Sequence, residues 1–454
     1  MLVFILGGGA RGDIQSLIIL RPAAVLISCL ALFTLKREHI RRYRTLFIIA
    51  LLTLALILLH LVPLPPALWR SLPGRDFVSN VDATAGLGEV WRPISLTPLA
   101  TWNAFYSMFV PLGVLLLGAQ LSAEDQRYLL RVIIGLGLLS GVLGLMQVLG
   151  DPEGSLYFYR VTNNGSAVGL FANRNHQAVL LACLIPMLAL LASQETRNSE
   201  AARARVYIAV AISFVLVPLI LVTGSRAGVA LGLLGLLSVP LLYRKPKAGA
   251  SERRIAAPRA LTIALGILAV MAIAVVTIVL GRAEAFNRIM TPDAVDEIRF
   301  KVWGPIARLA WQYFPFGSGI GGFAEVYQVD EPDQMLGINY LNHAHNDWLE
   351  VYMTGGLPAS LLLGVAVICW LRCTFLVWRP TTGTPTRDIQ FGRLGSILLL
   401  MLALASVGDY PLRVPSLVCC AVIFALWLRA PKGERSEAQL GKPGGSLAPS
   451  HIGR

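Results

Sequence analysis

The sequence predicts an all-α polytopic membrane protein with about eleven or twelve transmembrane helices. Three observations lead there. Of 454 residues, 55% are hydrophobic and 14% are charged, with a mean hydropathy of +0.65; a soluble domain carries roughly 25% charge. The apolar residues come in long unbroken runs, not in the alternation of a membrane β-barrel. The six cysteines, Cys29, Cys183, Cys369, Cys373, Cys419 and Cys420, all lie within those runs, as small hydrophobes do and disulfide frameworks or thiolate metal sites do not. A cytosolic globular enzyme is excluded for want of charge, and a disordered chain for excess hydrophobicity.

A spanning helix needs about 20 apolar residues. Spans are expected near 15–35, 45–64, 102–120, 128–150, 176–193, 206–222, 229–243, 261–280, 349–378, 394–407 and 416–429, with Met1–Gly7 as the stub of a twelfth. Met1–Leu6 is apolar but too short for the core of a secretion leader. The shortest spans, 229–243 and 416–429, adjoin Gly- or Pro-containing turns, as broken or tilted helices do.

The net charge is +13. In a soluble protein that points to nucleic acid; in a membrane protein it reflects the positive-inside bias, and no nucleic-acid partner is expected. The connections Lys36–Arg44, Leu121–Arg131, Ser193–Arg205, Tyr243–Arg259 and Trp378–Arg393, with the tail from Arg429, hold most of the basic residues. The opposite set is richer in Asp and Glu. The first set is therefore cytoplasmic, and the other face is periplasmic or extracellular. Four parts follow: a first helical bundle over 1–280, an outer loop layer over 281–348, C-terminal membrane helices over 349–429, and a disordered cytoplasmic tail over 430–454, rich in Gly, Pro, Ser and charge.

Three sizeable loops lie on the outer face: Val62–Thr101, Asp151–Asn175 and Gly281–Trp348. Within the last, Arg299–Phe316 sets Val302, Ile306, Leu309, Tyr313 and Phe314 at helical spacing beside Trp303, Trp311 and Phe316. That pattern predicts an amphipathic helix at the interface.

Basic residues on the outer face run against the charge bias and need a reason. Arg226, in Thr223-Gly224-Ser225-Arg226-Ala227-Gly228, lies between two apolar runs. A guanidinium there either meets an anion or snorkels to headgroups. Ser225 is not the centre of a nucleophile elbow. Arg299 follows Asp293, Asp296 and Glu297, any of which can pair with it. Where the long loop re-enters the membrane stands Asn342-His343-Ala344-His345-Asn346-Asp347. Histidine there can accept a proton near neutral pH. A metal held by His343, His345 and Asp347 is the weaker alternative, since their spacing suits a strand better than a helix. Arg174-Asn175-His176 opens another span from outside and either lines a cavity or caps the helix. Gly317–Phe323 is glycine-rich but follows no strand; a flexible turn is expected.

Taken in order, GLFANRNHQA, TGSRAG, Arg299 near Trp303, PFGSGIGGF and HAHNDWLEVYMTGGLP resemble the O-antigen ligase and O-antigen polymerase superfamily of bacterial inner-membrane glycosyltransferases. The resemblance is strongest over residues 165–365. It implies a GT-C-type fold, an active site facing the periplasm and a glycan donor linked to undecaprenyl pyrophosphate. It further implies a lipid or glycan acceptor, membrane lipids as surroundings, and no cofactor or metal. By the same resemblance, Arg226 and Arg299 bind the pyrophosphate and His345 is the catalytic base. Asn346, Asn175, His176, Arg174 and Ser225 are expected to contact substrate. His343 is an addition to the pattern. Ligase-type transfer is preferred, polymerisation of lipid-linked repeat units is the near alternative, and a transporter or flippase of lipid-linked sugars is the reading from another class.

Overall fold

The computed structural model describes residues 1–194, 199–245, 300–336, 340–380 and 385–429. Arg299, the expected span at 261–280 and the tail lie outside the described residues. In chain order the helices are α1 (Leu2–Leu6), α2 (Leu17–Thr34), α3 (Arg37–Arg42), α4 (Arg44–Leu59), α5 (Pro66–Arg70), α6 (Asp76–Thr84), α7 (Pro98–Ser107), α8 (Phe109–Gly118), α9 (Ala123–Leu149), α10 (Arg174–Ser193), α11 (Ser199–Val222), α12 (Arg226–Leu242), α13 (Trp303–Gln312), α14 (Phe323–Val329), α15 (Asp347–Trp378), α16 (Arg387–Gly408) and α17 (Pro415–Trp427). Among the described residues the strands are one antiparallel pair, β1 (Pro63–Leu64) with β2 (Arg92–Pro93).

Among the described residues, seven helical runs are long and apolar enough to cross a membrane, and the apolar helices α4, α12 and α17 are shorter. Each expected span within the described residues coincides with one of these helices. The protein is an all-α, multi-pass membrane protein. Apolar residues such as Ile18, Leu26 and Phe33 on α2, and Leu361, Ile368 and Phe375 on α15, are exposed. In a chain so poor in charge, such faces are lipid-facing.

The bundle is organised around α10, whose apolar window is 94% buried. Its Leu180, Leu181, Leu184, Ile185 and Leu188 form a core with α9, α11, α12 and α16. Helix α12 runs parallel to α10 at very close range. Any β-carbon on Gly228 would overlap that of Ala178, and one on Gly235 would lie 3.1 Å from the Ala182 carbonyl. At the far end, Arg244 N donates to Ser193 Oγ at 2.9 Å. Small residues are what lets two membrane helices meet at the backbone.

Helix α15 is not one continuous span. Gly356 takes φ 61°, ψ −154°, which divides it into an outer segment, 347–355, and a spanning segment from 357. Broken backbone at membrane depth must find other partners, and the glycine-rich loop supplies them. Ser318 N donates to Met353 O at 3.1 Å, Gly319 N to Thr354 O at 2.9 Å, and Leu357 N to Pro315 O at 2.8 Å. A β-carbon on Gly317 (φ 81°) would lie 2.7 Å from Gly356 N. The expectation of a flexible turn at Gly317–Phe323 is thus corrected: its glycines are there because backbone packs against backbone.

The amphipathic helix forms as α13. Val302, Ile306, Leu309 and Tyr313 are buried with Met353 of the outer segment of α15, while Trp311 is exposed. Arg75, 1% exposed, ties the first outer loop to this layer. It donates to Pro73 O at 3.0 Å, Ile94 O at 2.7 Å and Gly317 O at 3.2 Å, and lies over the rings of Trp69 and Tyr313. Burial pushes its guanidinium down to about 10.

Candidate active site

Four helix ends meet at one end of the bundle, the end that the charge pattern leads one to expect on the outer face. Helices α10, α12 and α15 start there, each with a capping side chain: Asn173 Oδ1 accepts from Asn175 N, Ser225 Oγ from Gly228 N at 3.1 Å, and Asn346 Oδ1 from Leu349 N at 3.0 Å. Helix α16 ends there, at Asp409. Helix N-termini present positive potential, and a C-terminus bearing a carboxylate complements them.

Asp409, 3% exposed, is the hub. Its Oδ2 accepts from Asn175 Nδ2 at 2.7 Å. Its Oδ1 accepts from Tyr410 N at 2.9 Å and lies 3.4 Å from His345 Nδ1 and 3.7 Å from His176 Nε2. The Tyr410 ring sits among three imidazoles, with centroids 4.5 Å from His343, 4.9 Å from His345 and 5.1 Å from His176. His345 itself has φ +47°, a left-handed backbone rarely taken by residues other than glycine. That turn precedes the Asn346 cap and directs the imidazole toward α16. Nδ1 is the ring nitrogen of His345 that lies near the carboxylate; the tautomer protonated there has its basic lone pair on Nε2.

A second buried cluster braces the first. His343 Nδ1 lies 3.0 Å from Glu350 Oε1, and Ala344 N donates to Glu350 Oε2 at 2.9 Å. Arg413 Nη2 lies 3.5 Å from Glu350 Oε1, and Arg413 Nε lies 3.2 Å from Asp347 Oδ1. Asp347 Oδ2 also accepts from Ser406 Oγ at 3.0 Å and Leu412 N at 3.2 Å. Burial works against the charge on Arg413, yet Glu350 and Asp347 hold its guanidinium above the usual range. His343, His345 and Asp347 thus face three different partners (Glu350, Asp409 and Arg413).

Arg174 and Arg226 each occupy the first position of a helix, α10 and α12 respectively. A cation there opposes the helix dipole, where Asp and Glu are the favoured residues. The Gly228–Ala178 approach keeps these two first turns side by side. The structure thus joins His345, His176 and Asn175 through one carboxylate and sets Arg226 on the helix packed against α10; Arg299 lies outside the described residues. Ser225, Asn346 and Asn175 also have scaffold roles, as caps or as the Asp409 partner.

Sequence reasoning missed Asp409, Tyr410 and Arg413. Their signal is the polar stretch Asp409-Tyr410-Pro411-Leu412-Arg413 between the last two apolar runs. Glu350 carries another: an acidic residue inside a span is costly and calls for a partner.

No curated protein matches the chain. Residues 211–364 match the model of the family described as O-antigen ligase. The match begins after Asn175 and His176 and stops short of Asp409. This segment, about a third of the multi-pass chain, carries both Arg226 and His345 and is similar to the O-antigen ligase family.

Proposed function

We propose that the protein is a glycosyltransferase of the bacterial inner membrane that moves a glycan from undecaprenyl pyrophosphate to an acceptor hydroxyl on the periplasmic face. The observation that carries this reading is His345 turned toward the buried Asp409, beside the paired starts of α10 and α12. In this reading the helices of 1–280 and 349–429 hold the site, and the layer at 281–348 roofs it.

The chemistry follows from the donor. As the bond between the anomeric carbon and the pyrophosphate oxygen breaks, negative charge grows on the leaving group. Arg226 and Arg299, with Arg174 at the helix start neighbouring that of Arg226, bind it through forked N–H donors. The N-termini of α10 and α12 add to that potential. These interactions strengthen as charge develops, so they lower the barrier instead of merely holding substrate. His345 Nε2 takes the proton of the attacking hydroxyl, and Asp409 stabilises the imidazolium that forms. The new glycosidic bond has inverted configuration, and undecaprenyl pyrophosphate leaves. Because guanidiniums neutralise the diphosphate, turnover is expected to persist in a chelator.

The acceptor distinguishes a ligase from a polymerase. Purified protein should be given a polyprenyl-pyrophosphate-linked oligosaccharide with and without a lipid A core acceptor. A single transfer that requires the core indicates a ligase; a ladder from the donor alone indicates a polymerase. No transfer in either mixture, with protein shown to be folded, overturns the reading.

A further inference from the structure

A second group of outer-face arginines gathers at the start of α2. Arg21, in the second turn of α2, donates from Nε to Ser107 Oγ and from Nη1 to Asn103 Oδ1, each at 3.1 Å. Among the described residues its partners are thus two neutral oxygens. Nearby, Arg11 donates to both oxygens of Asp13, at 3.0 and 3.2 Å, and Arg160 donates to Asp13 Oδ2 at 3.2 Å. Two guanidiniums therefore share one carboxylate, and with Arg21 nearby the rim has excess positive charge. Arg11 also reaches the Tyr340 hydroxyl at 2.6 Å.

Beside this rim opens a groove of about 460 Å³, with Asp13 and Arg21 in its lining. Its apolar wall is Ile14, Leu17, Ile18, Pro22, Val25 and Tyr106. The depth is marked by aromatic residues. Trp102 stacks on Tyr106 with centroids 5.8 Å apart, and both are exposed, as in the belts that sit at headgroup level. Arg21 is bonded to residues on either side of Tyr106 in the chain, so it lies at that level. Pinned by two hydrogen bonds to α7, it is not extended into water as a snorkelling side chain is. A guanidinium at the hydrocarbon boundary is costly until it meets an anion, and the apolar wall next to it suits an acyl chain.

We propose that this groove is a binding site for one anionic phospholipid, its phosphate on Arg21 and an acyl chain along Leu17, Ile18, Pro22 and Val25. The fork of Arg21 suits a phosphate diester. Arg11 and Arg160, held by Asp13, keep the rim attractive to the headgroup. This site is independent of the glycan-transfer reading and stands or falls without it.

The test uses the full chain in nanodiscs of phosphatidylcholine doped with a photoactivatable phosphatidylglycerol, with crosslinked peptides mapped after digestion. Crosslinks are expected within residues 14–25 and 102–109. Excess unlabelled phosphatidylglycerol, but not phosphatidylcholine, should compete them away. Arg21→Gln retains a side-chain amide for Ser107 and Asn103 and should lower this labelling at least fivefold. Val25→Trp leaves Arg21 in place, fills the groove and should do the same. Equal labelling by a phosphatidylcholine probe overturns the proposal, as does labelling that survives either folded variant. Displacement by a polyprenyl phosphate but not by phosphatidylglycerol overturns the phospholipid as occupant.

Discussion

Asp409 gathers the side chains of Asn175, His176 and His345 from two distant stretches of chain and also accepts from the backbone N–H of its neighbour Tyr410. If His345 is the base, His345→Ala should slow transfer by about 10²–10⁴-fold, the usual worth of a positioned general base. Asp409→Asn keeps the shape of the site but removes the charge that orients and stabilises the imidazolium. It should reduce kcat by a similar order with little change in KM. Steady-state assays of folded variants check both; an unchanged kcat for Asp409→Asn would mean the carboxylate is scaffold alone. Glu350 answers to stability instead. Glu350→Ala strands Arg413 with one carboxylate and strips His343 of its partner. Removing one partner of a buried ion pair costs about 3–5 kcal/mol, to be read as a lowered denaturation midpoint in detergent.

Helices carry the next level of the argument, through their ends. Asn346→Ala removes the cap of the outer segment of α15 and should cost about 1 kcal/mol, again visible as a small fall in midpoint. Gly228→Leu drives a side chain into Ala178 at the first turn of α12. Overpacking of this kind costs about 1–3 kcal/mol, and it also shifts Arg226 relative to α10. Activity should then fall further than stability, which parallel melting and transfer assays would separate. The break at Gly356 was not legible in the sequence. Gly355-Gly356-Leu357-Pro358 reads as a weak point in a span, but the hydrogen bonds that stabilise the break come from residues 315–319, and no local pattern reveals that partnership.

For the molecule as a whole, the charge pattern and the helix ends agree on an alternating path. Glu153 lies in the loop between α9 and α10, and Glu124 lies in the first turn of α9 at the opposite end; both are exposed. A cysteine at Glu153 should react with a membrane-impermeant maleimide in spheroplasts, and one at Glu124 only after lysis. The six native thiols sit in helices of the apolar bundle and should contribute little background. The reverse pattern would invert the topology and move the Asp409 site to the cytoplasm.

Composition and hydropathy by themselves determined the fold class, the spans within the described residues, and the amphipathic helix, because each is a local property of a short window of chain. The side chains His345, Arg226 and Asn175-His176 were also legible, as polar residues out of place at the ends of apolar runs. Tertiary structure alone decided that a carboxylate at the end of α16 joins His345 with Asn175 and His176, that Asn346 and Ser225 cap helices, and that the glycine-rich loop braces a broken span. The physical reason is that these are contacts between segments far apart in the chain, and the hydrophobic pattern of a membrane helix states its depth in the bilayer but not the neighbour against which it packs.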